Sequence, residues 1–198
     1  MATNTLATAG LFVAPDGPPY LEITRQGGHW NTISAAVAPL VAVPTTVAAL
    51  ELWNNSVSGM TMAVTDLWAF HLLGTAVLHN LAIWAQVTAP KAVPTLTATT
   101  IASQSGRGVY TSAVGSRVVI GAGTTVIATG WRPWGVQFGV VSTALPGEAW
   151  HVEVNGKLLV PPGSSLCLQM TDALATASST QVGAAWVEVL TPPFINVA

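Results

Sequence analysis

The stretch Asn155-Gly156-Lys157-Leu158-Leu159-Val160-Pro161-Pro162-Gly163-Ser164-Ser165-Leu166 leaves this chain few options. Asn-Gly suits a two-residue hairpin turn, because both positions tolerate positive φ. Leu158 to Val160 then read as a short strand. Pro161 and Pro162 have no amide hydrogen for a sheet ladder, so the strand must leave the sheet there or run along an edge. Ser164 to Gln169 and Gln181 to Leu190 alternate or run apolar, as paired strands do. Turn, strand, corner and strand in so short a span call for an antiparallel β structure.

The rest of the chain carries the same pattern. Strands are expected over Thr46–Asn54, Met60–Leu73, Val77–Val87, Thr95–Ser103, Val109–Ser112, Arg117–Ile120, Thr124–Thr129, Val136–Ser142 and Glu148–Val154. Between them lie turn signals: Asn54 to Gly59, Gly74, Pro90 to Pro94, Ser105 to Gly108, Gly121-Ala122-Gly123 and Leu145-Pro146-Gly147. Gly130-Trp131-Arg132-Pro133-Trp134-Gly135 reads as a further corner. Short strands with turn signals roughly every 8 to 15 residues, and almost no helical period, predict an all-β antiparallel sandwich or jelly roll. Residues 1–45, rich in Thr, Ala, Gly and Pro, read as an extended N-terminal arm, and residues 46–198 as the β domain.

Charge narrows the function. Charged residues make up 7% of the chain, against about 25% in ordinary soluble proteins. A monomer usually covers its surface with such side chains, so much of this surface is expected to face something other than water. The eight Trp residues agree, since Trp is enriched at interface centres. Trp131, Arg132, Trp134, Trp150 and Trp186 are the candidate interface residues. Trp53, Trp68 and Trp84, with Trp150 and Trp186, lie in expected strands and suit a core or a trimer axis. An exposed Trp131–Trp134 corner would instead stack on sugar rings, with Arg132 adding a cation–π contact.

Other classes are set aside. The six basic side chains are scattered singly and the net charge is −2, which argues against nucleic acid. Cys167 is alone, so no internal disulfide or cysteine-only metal site is expected. No secretory leader is expected, because the first 24 residues lack a charged start and an apolar block. Ile33 to Leu50 is apolar, but Pro39 and Pro44 break it, so an extended soluble segment is favoured over a membrane span.

Catalytic constellations are weak. His71 and His79 flank the Gly74 bend, and Glu148 and His151 lie three apart. The His-x-His then Glu pattern of a cupin is absent, and positions three apart on a strand face opposite ways. The histidines therefore read as hydrogen-bonded or interface residues, with no metal or cofactor expected. Asp66 and His79 are the nearest approach to a Ser-His-Asp group, without a Gly-x-Ser-x-Gly elbow. Glu51, Asp66, Glu148 and Glu153 offer no marked carboxylate pair. Gly121-Ala122-Gly123 reads as a turn, not a dinucleotide loop.

Leu50-Glu51-Leu52-Trp53-Asn54-Asn55-Ser56-Val57-Ser58-Gly59-Met60 resembles the opening strand, Asn, turn and Ser-Gly of small trimeric jelly-roll structural proteins of tailed bacteriophages. Leu158 to Leu166 and Gly183 to Val189 resemble the last hairpin of that group. The resemblance spans Thr46 to Leu190. It implies a virion surface role without catalytic residues: a capsid decoration or cement protein, homotrimeric, with the major capsid protein or another virion protein as partner. A shell-forming coat protein, a receptor- or carbohydrate-binding virion module and a metal-dependent β-barrel enzyme are the competing readings.

Overall fold

The computed structural model describes residue 24 and residues 28–55, 58–74, 78–89, 96–98, 104–105, 118–123, 129–140, 149–173 and 178–191. They form β1 (His29–Ile33), β2 (Leu50–Asn54), β3 (Met60–Leu73), β4 (Leu78–Val87), β5 (Leu96–Ala98), β6 (Gln104–Ser105), β7 (Val118–Gly123), β8 (Arg132–Val140), β9 (Ala149–Val160), β10 (Ser165–Asp172) and β11 (Ser179–Leu190). One sheet has the order β6-β1-β11-β3-β9 and the other β5-β7-β2-β10-β4-β8.

The pairing has a simple logic. β1 pairs with β11, β2 with β10, β3 with β9 and β4 with β8, all antiparallel. The first four strands thus meet the last four in reverse order. The chain is one long hairpin rolled up so that strands from its two arms alternate within each sheet, which is a jelly roll. β6 extends the first sheet beyond β1, and β7 and β5 extend the second beyond β2.

Several local expectations change once pairing is known. β3 spans Met60–Leu73 as expected. Gly121-Ala122-Gly123 is not a turn but the end of β7, opposite Glu51 and β5. The Trp-Arg-Pro-Trp corner already belongs to β8, which starts at Arg132. Pro133 is tolerated because β8 is an edge strand and its ladder shifts register at the facing Ile83/Trp84. Asn155 and Gly156 do adopt positive φ, at 52° and 74°. They do not close a hairpin; they sit in an excursion inside β9, between Glu153 opposite Asp66 and Leu158 opposite Val64. The strand expected over Val109–Ser112 lies outside the described residues.

The arm boundary also moves. β1 lies between β6 and β11, inside the first sheet. Beyond it Ser34 and Val37 stay hydrogen-bonded to Val182 and Thr180, and Leu40 crosses to Met170 and Asp172 in the second sheet. Residues 28–45 therefore belong to the sandwich, although extended, polar-poor sequence gives no local sign of which strand they join. Residues 1–23 and 25–27 lie outside the described residues.

The core fills the space between the sheets with Leu50, Leu52, Leu67, Ile83, Leu168 and Trp186 among others. A bulge in β3 at Thr65 sets its phase. Val64 faces Trp186 and Asp66 faces Ala185, so Thr65 is the extra residue. Before it Met62 and Val64 point inward; after it Leu67, Ala69 and His71 do.

Two positions hold the roll together tightly. Asn54 is buried at the end of β2, and its side-chain amide donates to Met60 O (2.7 Å) and Val160 O (2.9 Å). Its backbone N–H donates to Ser164 O, and its carbonyl accepts from Gly163 N. One residue thereby ties the β2–β3 corner to the Pro161-Pro162-Gly163 corner. We expect Asn54→Ala to cost about 2–4 kcal/mol in chemical denaturation, because two buried carbonyls lose their donor. Gly183 on β11 lies under the Trp68 ring: an added Cβ would meet Trp68 Nε1 at 2.1 Å and Thr32 O at 2.5 Å. Gly183→Ala should lower stability by about 1–3 kcal/mol in the same assay, since a backbone oxygen cannot swing away as a side chain can.

Candidate functional site

The end of the sandwich opposite Asn54 brings together two histidines, an aspartate and a serine. His71 comes from the end of β3, His79 from the start of β4, Asp172 from the end of β10, and Ser178 precedes β11. Each faces inward for a local reason. His71 does so because the Thr65 bulge reverses the alternation of β3. His79 continues the inward set Leu81, Ile83 and Ala85, and Asp172 continues Leu166, Leu168 and Met170. The backbone N–H of Asp172 donates to Leu40 O, so the segment crossing from β1 pins the end of β10.

His79 Nδ1 donates to the Asp172 carboxylate at 2.6 Å, and both side chains are fully buried. His71 Nε2 shares a 2.6 Å hydrogen bond with Ser178 Oγ. The two imidazoles meet edge to face, with ring centres 4.6 Å apart. Donor atoms of His71, His79 and Asp172 all lie within 4.8 Å of one another, and among the described residues no other group of three or more such side chains is arranged to hold a metal. Burial pushes the His71 imidazole below its ordinary value of 6.5; His79 beside it acts in the same direction, while Asp172 and the Leu73 backbone oppose. His29 on β1 is also held below 6.5 by burial, against the pull of Asp66.

The sequence singles out His71 and His79 but not their partner. Asp172 is legible only as the last member of an inward-facing alternation that starts at Leu166. His151 is not part of the group: it lies on the outer face of the first sheet, hydrogen-bonded to Asp66 at 2.7 Å. The Asp66–His79 combination is therefore not formed. Glu148 lies outside the described residues.

The tryptophans divide. Trp186 is enclosed in the core and Trp131 is buried, so neither offers a partner much surface. Trp131 packs with Ala48, Cys167 and Trp84, and its Nε1 donates to Thr45 O at 2.9 Å. It cannot serve as an open sugar platform, because its ring clamps the segment before β2 onto the second sheet. Trp134 and Trp150 are half-buried against the main core. Arg132 is exposed and turns back to the carbonyl of Trp131 (3.1 Å).

No protein-family model matches the chain, and no curated protein or solved structure is significantly similar to it.

Half-buried His29 and buried His71, both held below 6.5, have a measurable consequence. They are harder to protonate in the folded chain than in the unfolded one, so below pH 6.5 the unfolded state binds more protons. Their contribution to stability is complete above that value and declines as pH falls through it. Thermal unfolding followed by circular dichroism, with chelator present, should give a lower midpoint at about pH 5.5 than at about pH 7.5. A level or rising midpoint on acidification would contradict this account of His29 and His71.

Proposed function

We propose that this chain is a non-enzymatic structural protein of a virus particle: a capsid decoration or cement protein that docks on the shell as a homotrimer. The observation carrying this reading is the segment between β1 and β2. Residues 33–50 contain no charged side chain. The segment is anchored to the second sheet by Leu40 hydrogen bonds to β10, by Ala49 N to Leu168 O, and by Trp131 over Ala48 with its Nε1 on Thr45 O. It nevertheless turns Val41, Val43 and Val47 outward at 70%, 57% and 49% exposure. Apolar side chains presented on a fixed backbone lose little entropy on docking, which favours a permanent partner. The jelly roll and the charge deficit of the whole chain are in keeping with that role, and contacts made only in the assembled state stabilise a shell by mass action.

The test is the absolute mass of the full chain by light scattering after size exclusion, followed by sedimentation with empty capsids. We expect a three-chain species that co-sediments. The double substitution Val41→Asp, Val43→Asp should yield a folded monomer that remains in the supernatant. Particles of megadalton mass would favour the shell-forming coat protein instead. A wild-type monomer with no affinity for capsids would end the decoration reading.

A further inference from the structure

We propose that His71, His79 and Asp172 form a binding site for one divalent first-row transition cation of the zinc class, which staples the two sheets at this end of the roll. Two imidazoles and a carboxylate are donors suited to such ions and poorly suited to calcium or magnesium, which take oxygen ligands. Their donor atoms lie within 4.8 Å of one another. Around a four-coordinate zinc with bonds of about 2.0–2.1 Å, ligand atoms stand about 3.3 Å apart. The three side chains draw closer together when the ion binds.

Burial points the same way. The chain holds only four histidines and eight acids, yet two of the former and one of the latter are sequestered here. One hydrogen bond joins His79 to Asp172, and His71 is left less well served. Its Nε2 is held by Ser178, while Nδ1 is buried beside the Leu73 backbone without a hydrogen bond of ordinary geometry. Ligation through one ring nitrogen, with Ser178 on the other, satisfies both, and an oxygen partner on the second nitrogen is the usual support of a metal-bound imidazole.

The position gives the ion a structural task. His71 and His79 bracket the β3–β4 crossing, and Asp172 and Ser178 bracket the β10–β11 crossing. Each crossing passes from one sheet to the other. A cation bound here links both crossings in the folded state alone, so it raises stability in proportion to its occupancy.

The experiment uses the full chain, stripped with chelator and titrated with zinc chloride by calorimetry, and separately with cobalt(II) followed by visible absorption. We expect a single ion per chain, cobalt bands of low coordination number, and a zinc-dependent rise in the thermal midpoint. His71→Gln and Asp172→Asn should abolish stoichiometric binding. Ser178→Ala should weaken it about tenfold, as loss of an outer partner commonly does. His151→Ala, which removes the exposed pair with Asp66, should leave it intact. If the core variants do not fold, zinc-induced shifts of the ring-nitrogen resonances in the wild-type chain decide the matter. Shifts at His71 and His79 support the site. Absence of stoichiometric binding, or binding that depends on His151 instead, overturns it.

Discussion

Along most of this jelly roll the chain passes from one sheet to the other between consecutive strands, and the polar backbone freed at each crossing needs a partner. That requirement shapes both ends of this molecule. At one end Asn54 answers it with a neutral amide: it serves the carbonyls of Met60 and Val160 while its own backbone closes on Gly163 and Ser164. Trp53 Nε1 adds a bond to Gly163 O. At the other end the crossings are lined by two imidazoles, a carboxylate and a hydroxyl. The second end contains groups whose protonation and ligation depend on conditions.

The scarcity of charge has two causes that sequence composition merges. Part of it is internal. Around β2 and β10 the outer face of the second sheet is covered: Cys167, Gln169, Glu51 and Trp53 are buried there, with Ala48 and Trp131 lying over Cys167. A face covered by its own chain needs no solubilising side chains. Another part is external: Val41, Val43 and Val47 of the segment before β2 stand exposed, as do Val136, Leu159 and Leu190. Burial of Trp131 and Trp186 within one subunit shows that Trp content alone does not indicate an interface.

The inward direction of His71 depends on the bulge at Thr65. Without the extra residue at Thr65, the even-numbered face of β3 would remain inward and His71 would point to solvent with Trp68 and Phe70 on the other side. The same bulge sends Asp66 outward to His151. One inserted residue thus separates two histidine–carboxylate arrangements, one exposed and one sealed. Bulges are set by the partner strands, here β11 and β9, and no local spacing announces them.

By itself the sequence determined what local chemistry determines. Proline placement fixed the corner at Pro161-Pro162-Gly163, turn signals at Asn54 to Gly59 and at Gly74 delimited Met60–Leu73, and the Asn155-Gly156 pair suited positive φ. Turn spacing and β-branched composition were sufficient for an all-β sandwich. Only the tertiary structure decided which strand lies beside which, because a ladder pairs residues more than a hundred positions apart, as in His29 with Val187. That pairing drew residues 28–45 into the sheets, turned Gly121–Gly123 from a turn into a strand, opened Asn155-Gly156 into an excursion instead of a hairpin, and brought Asp172 to His79. Each of these outcomes rests on hydrogen bonds between distant segments, whose energies are absent from any short window of sequence.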